Sequence, residues 1–229
     1  MMRRSFCAAF IFSATQIAGI AHADNYSPPG ELEQDSGSGY RSSVIFRPSM
    51  RFPIDDGKAF ANSQVYRAGG MYGSGGGQCD AKNYAYPWRD NFCEKRSRAT
   101  PMCPSGQGHQ GQDIRPGTCK ASLYWAVAAE NGIVTNIGSY SVTIQGSSGA
   151  IFRYLHLDMR NLRVKALDKV SRGEKIGQVS NFFNGTPTTI HLHFEIKQAV
   201  VVNGTRIITF VPPYTSLVAA HKALLAGTP

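Results

Sequence analysis

From residue 121 onward the chain is a succession of short β-rich runs, and this patterning constrains its fold more than any other feature. The runs 122–128, 132–137, 140–145, 151–156, 175–180 and 190–196 are rich in branched and aromatic residues and are parted by Gly, Asn and Ser. Each is too short for a stable helix and has the length of a strand. Residues 199–202 and 205–210 flank Asn203-Gly204, a dipeptide that accepts the positive φ angles of a two-residue hairpin. Pro212-Pro213 stops the pattern, and 215–225 reads as a terminal helix with Leu217, Val218, Leu224 and Leu225 as its apolar positions. Upstream, 40–46 reads as a first strand ended by Pro48. The expected fold class is mainly β, with a marginal C-terminal helix.

The N-terminus is a separate unit. Met1-Met2-Arg3-Arg4 is basic, residues 6–20 are apolar but too short to span a bilayer, and Ala21-His22-Ala23 has the small-x-small pattern of a signal-peptidase site. Residues 1–23 therefore read as a signal peptide, and Cys7 lies too early in the apolar run for lipoprotein processing. Residues 24–39, rich in Pro, Ser, Gly and acidic side chains, read as a flexible leader, so that 24–64 holds the leader and the first strand. Residues 65–229 form the remaining domain, and no later run is apolar enough for a membrane span. About 206 residues follow the signal peptide, enough for one sizeable core.

The net charge is +9, of which Arg3 and Arg4 contribute two. A basic exported chain suits an anionic envelope. Nucleic acid is not an expected partner, because no Lys/Arg run with interleaved aromatics is present. No heptad or internal repeat suggests assembly, and a monomer is expected. The four cysteines beyond the signal peptide, Cys79, Cys93, Cys103 and Cys119, form no C-x-x-C pair and read as two disulfides. Local pairing, Cys79 with Cys93 and Cys103 with Cys119, is the expectation. Residues 66–108 lack periodicity and read as a surface insertion, whose Cys-bearing part at about 77–103 would wall a groove.

Two histidine groups carry the chemistry. His191 and His193 flank Leu192 in a β-rich run, and side chains two apart on a strand share a face. His109 and Asp113 share a face if their Gly-rich stretch is extended, and Gly111 puts no side chain between them. Two imidazoles and one carboxylate are a zinc set that leaves a fourth position for water. Spacing alone leaves open hydrogen-bonded or exposed histidines that hold no metal. Alternation puts Glu195 on the face of His191 and His193, either as a partner orienting a ligand or as a solvated edge residue. It also puts Tyr154 beside His156, either lining the groove or half-buried in the strand. His221, in the terminal helix, reads as a surface residue.

The surrounding residues carry a resemblance. Gly108-His109-Gln110-Gly111-Gln112-Asp113-Ile114, with Arg115-Pro116-Gly117, resembles the H-x-G-x-D-I…P-x-G segment of lysostaphin-like metallopeptidases. Tyr154-Leu155-His156-Leu157 is similar to their Y-x-H-L segment. Val170-Ser171-Arg172-Gly173-Glu174-Lys175-Ile176-Gly177 is similar to their V-x-x-G-x-x-I-G turn. Ile190-His191-Leu192-His193-Phe194-Glu195 resembles their H-L-H-F-E strand. Four motifs in order cover residues 108–196. The resemblance implies a compact antiparallel β-sheet of the duplicated hybrid motif type and a Zn²⁺ cofactor held by His109, Asp113 and His193. It further implies that His156 and His191 act in acid–base catalysis and oxyanion stabilisation. The implied partner is peptidoglycan, and the implied activity is hydrolysis of its peptide bonds. One catalytic domain with no second module, together with paired cysteines, favours a periplasmic D,D-endopeptidase acting on cross-links over a secreted enzyme. The alternatives are a non-enzymatic envelope regulator of a cell-wall amidase, or a secreted protease acting on Gly-rich proteins. Asn184-Gly185-Thr186-Pro187 departs from the family's Gly/Ser-rich approach to the last strand, which bears on groove shape and not on the metal.

Overall fold

A computed structural model describes residues 25–64 and 77–229. The segment read as a signal peptide, 1–23, lies outside the described residues.

Among the described residues there are ten strands, one 3-10 turn at Ala81–Tyr84 and one helix. The strands are β1 (Ala59–Ala61), β2 (Gln112–Pro116), β3 (Trp125–Val127), β4 (Gly132–Ile137), β5 (Ser141–Gly146), β6 (Ile151–Leu155), β7 (Lys169–Val170), β8 (Lys175–Gln178), β9 (Leu192–Val202) and β10 (Thr205–Val211). The helix α1 spans Tyr214–Leu225. Eight strands form one antiparallel sheet in the order β1-β2-β9-β6-β5-β4-β7, with β10 also paired to β9, while β3 and β8 form a second, two-stranded sheet. The fold is therefore mainly β and antiparallel, as the alternation requires. The hairpin forms at Asn203 (φ 49°) and Gly204 (φ 78°), both in the left-handed region that a twisted two-residue turn needs. Among the described residues no helix is long and apolar enough to cross a membrane.

β9 organises the molecule. Its first residues pair with β2, its later ones with β10, and its other edge lies along β6. Leu192, Phe194 and Ile196 alternate onto the core face and meet Ile114 of β2, Phe152 and Tyr154 of β6 and Leu217 of α1. The remaining face of β9 is thereby free for His193 and Glu195. Full burial of an aliphatic or aromatic side chain contributes about 2 kcal/mol, so slipping β9 by one residue would expose three such groups together.

Three expectations are corrected, two at the N-terminal end and one in α1. Residues 40–46 form no strand. Val44 and Ile45 are about half exposed, and the segment instead docks on α1, where Thr215 donates to the Val44 carbonyl and the Arg47 amide donates to the Ser216 hydroxyl. The stretch read as a flexible leader packs on the domain over its described residues: Tyr26 meets Trp88 edge-on at 5.2 Å, and the Gly30 amide donates to the buried Asp90 carboxylate. His221 is fully buried. Its ring lies tilted against Trp88 at 4.3 Å between the Tyr26 hydroxyl and the Gly57 carbonyl, which satisfy both nitrogens.

The cysteines pair, but as Cys79–Cys119 and Cys93–Cys103 rather than in the local pattern. The cause is a chain reversal. Cys93 donates to the His109 carbonyl and His109 to the Glu94 carbonyl, so 93–94 lies along 108–109 and Cys103 is folded back onto Cys93. Gly108 fits under this disulfide because it has no side chain: a Cβ there would sit 2.9 Å from Cys103 Sγ. Arg115, donating to the Gln78 carbonyl, brings the other cysteine pair together at the far end of β2. Nor is 77–103 a surface insertion, since Trp88, Asp90, Asn91, Phe92 and Glu94 are all buried.

Candidate metal centre

Asp113 on β2 stands directly opposite His193 on β9, and Leu155 at the end of β6 stands opposite His193 on its other side. His109 is brought up by the extended approach to β2. That approach is close because Gly111 has no side chain: a Cβ there would lie 2.9 Å from His193 Nε2 and against the Phe194 carbonyl. His191 immediately precedes β9. His156 follows β6 with φ 66°, a left-handed conformation that breaks the strand's alternation. Tyr154 therefore stays in the core, its hydroxyl accepting from the Ala129 amide, while His156 turns to the other side and meets His191 at 4.6 Å between ring centres.

His109, Asp113 and His193 are all buried, and their ligand atoms lie within 4.8 Å of one another. His193 Nδ1 is 2.9 Å from Asp113 Oδ1, and His109 Nε2 is 3.0 Å from His193 Nδ1. His191 Nε2 is 3.4 Å from the same Asp113 oxygen. The other ring nitrogens are committed. His109 Nδ1–H donates to the Asn91 carbonyl at 3.0 Å, His191 Nδ1–H to Thr189 at 2.8 Å and His156 Nδ1–H to Phe182 at 2.8 Å. His193 Nε2–H donates to Glu195 Oε1 at 3.0 Å, and Arg153 holds the second Glu195 oxygen at 2.6 Å. Carbonyl acceptors require N–H on the nitrogen that faces them. The neutral rings of His109, His191 and His156 thus keep the lone pair on Nε2, and that of His193 on Nδ1. Two imidazole lone pairs and a carboxylate oxygen converging in a buried site fit zinc, and the partnered outer nitrogens are the usual means of orienting such ligands.

The electrostatics follow from burial and proximity. Without a metal, burial pushes the His109 imidazole below its ordinary range, only partly offset by Asp113. Burial also pushes Asp113 up, but the facing His109 and His191 rings outweigh it and hold the carboxyl well below its usual range. His193 is pushed up to about 9, because hydrogen bonds to Asp113 and Glu195 overcome the cost of burying its charge. His156 lies well below the usual imidazole range, through burial and then the neighbouring His191 and His193 rings, and is neutral near pH 7.

All five residues singled out in the sequence, His109, Asp113, His156, His191 and His193, are thus brought to one place. Glu195 is a buried partner of His193 and not a solvated edge residue. Sequence reasoning missed Asn91 and Arg153. Arg153 faces Glu195 across the β6–β9 pair, a register seen only in the structure. For Asn91 there was no signal.

His109, Asp113 and His193 form a buried, sheet-borne group that could hold a metal ion, with His156 and His191 beside it. Residues 107–207 match the family described as Peptidase family M23. No curated protein matches the chain. Among solved structures it is similar to a protein described as a glycyl-glycine endopeptidase, LytM, from Ruminococcus gnavus. That pair shares 27% identity over 50% of this chain and 48% of the other, with a TM-score of 0.42. The catalytic domain of the antimicrobial peptidase lysostaphin from Staphylococcus simulans is 24% identical over 45% of this chain and 77% of that one, with a TM-score of 0.35. A protein described as peptidase M23 from Pseudomonas aeruginosa is 26% identical over 48% and 44%, also with a TM-score of 0.35. The chain spans about half the length of the Ruminococcus protein.

Proposed function

We propose that this chain is an exported zinc metallopeptidase that hydrolyses peptide bonds in peptidoglycan, and specifically a periplasmic D,D-endopeptidase that cuts cross-links. The observation that carries the reading is the convergence of His109 Nε2, Asp113 Oδ1 and His193 Nδ1, each oriented by a partner on its far side. The match to Peptidase family M23 over 107–207 supports it independently. His109, Asp113 and His193 would hold the metal. Zinc bound there supplies Lewis-acid polarisation of the scissile carbonyl and brings the pKa of water toward ~7.

The remaining steps belong to this chain's side chains. His191 and His156 each fix Nδ1–H on a backbone carbonyl and keep Nε2 as a proton acceptor. One takes the proton of the attacking water, and the resulting imidazolium then has an Nε2–H to give to the leaving amine. Burial keeps His156 neutral and ready to accept. Tyr140, stacked on His156 at 5.9 Å, and Phe183, edge-on at 5.5 Å, hold that ring in place.

Zymography on purified sacculi, run beside incubation with a Gly-rich protein and repeated with chelator and added Zn²⁺, tests the proposal. Clearing of sacculi that chelator abolishes and Zn²⁺ restores is expected. Cleavage of the protein alone would make the chain a secreted protease. Zinc binding with no hydrolysis of either substrate would make it a regulator.

A further inference from the structure

The segment 88–94 lies outside the matched domain, yet it is buried directly behind the metal-site cluster. Asn91 makes the contacts. Its side-chain Nδ2 donates to Asp113 Oδ2 at 2.9 Å, and its Oδ1 accepts from the Asp113 amide at 3.1 Å. Its backbone carbonyl accepts His109 Nδ1–H at 3.0 Å. The Asn91 amide is itself held by Gln112 Oε1 at 3.2 Å. Two residues on, Cys93 donates to the His109 carbonyl and is tied to Cys103. One asparagine therefore grips two of the three cluster members from outside. Its amide occupies one Asp113 oxygen and turns the other toward the imidazoles. Its carbonyl forces the proton of His109 onto Nδ1 and the lone pair onto Nε2.

We infer that Asn91 is a positioning residue that presets His109 and Asp113 for the metal, so that metal affinity in this chain depends on a segment beyond the residues matched to family M23. The inference rests on the zinc reading of the cluster. Partners that orient ligands in this way change metal affinity by roughly 10- to 100-fold when removed. A merely structural asparagine would change folding stability and leave affinity alone.

The test is competition for Zn²⁺ against a colorimetric chelator, with urea unfolding of the metal-free protein measured in parallel. Asn91→Ala removes both side-chain bonds to Asp113, along with the longer one to the Asn62 carbonyl. Asn91→Asp keeps shape and acceptor but faces Asp113 Oδ2 with an oxygen in place of the amide donor, and its near-identical size guards against misfolding. Asn83→Ala, at a buried asparagine whose amide donates to the Gly77 carbonyl, is the stability control. Both Asn91 variants should bind Zn²⁺ about 10- to 100-fold more weakly, and the visible spectrum of the Co²⁺-loaded protein should shift in Asn91→Asp. Asn83→Ala should unfold more readily with unchanged affinity. Wild-type affinity in both Asn91 variants, or an equal loss in Asn83→Ala, overturns the inference while leaving the zinc reading intact. A wild-type protein that binds no Zn²⁺ sinks both.

Discussion

Gly111→Ala adds one methyl group at the closest approach in the site. Gly111 has a φ outside the left-handed region, so alanine meets no backbone strain and the effect is purely steric. The new Cβ would lie 2.9 Å from His193 Nε2, 3.0 Å from Glu195 Cγ and closer still to the Phe194 carbonyl, all on β9. Two of these neighbours, a strand carbonyl and a ring hydrogen-bonded at both nitrogens, cannot swing aside. The 109–113 segment must therefore lift away from β9 or His193 must rotate. Overpacking of this kind costs about 1–3 kcal/mol, offset by the ~0.4–1 kcal/mol that losing a glycine removes from unfolded-chain entropy. A net loss of about 1–2 kcal/mol is expected in urea unfolding of the metal-free protein. Because either displacement moves His109 and Asp113 away from His193 or turns His193 off Glu195, zinc affinity should fall by roughly 10-fold or more. Wild-type affinity together with wild-type stability would refute the packing on which the whole site is built.

Other perturbations have defined signs. Non-reducing peptide mapping should recover Cys79–Cys119 and Cys93–Cys103 peptides, and Cys93→Ser with Cys103→Ser should cost on the order of 3 kcal/mol for so short a loop; a Cys79–Cys93 peptide would contradict the fold around the site. Burial raises the Asp90 carboxyl to about 6, against the favourable amides of Phe92 and Gly30. The folded state then binds a proton that the unfolded chain has released, so stability relative to Asp90→Asn should fall as pH rises from about 4 to about 6, by about 3 kcal/mol, and a pH-independent difference would oppose this. His156→Ala should keep its zinc and lose roughly 10²-fold in turnover; full activity would remove His156 from the mechanism.

The sequence carried the sheet well because its signal is local. Alternation over β4, β5, β6 and β9 reports which face is buried, and Asn203-Gly204 reports a turn by its backbone preference alone. It failed at 40–46, where Val44 and Ile45 have β propensity but no strand to pair with, and propensity without a partner makes no sheet. Cysteine spacing does not encode the chain reversal that lays 93–94 along 108–109, so the connectivity was not legible. His221 misled because helix position says little when an aromatic cluster from Tyr26, Phe52 and Trp88 closes over it. Spacing on extended chain paired His109 with Asp113 and His191 with His193, but the ligand set and His156 were legible only through the resemblance of the surrounding motifs. Asn91 was not: an asparagine in an aperiodic stretch gives no hint that it faces a carboxylate 22 residues away.

Mass analysis of muropeptides after digestion of purified sacculi tests the central claim most directly. The account predicts that cross-linked dimers become monomers with intact stems, and that His193→Ala, which removes a proposed metal ligand, leaves the dimers untouched. Dimers persisting beside shortened monomer stems, or muropeptides unchanged by zinc-loaded protein, would contradict it.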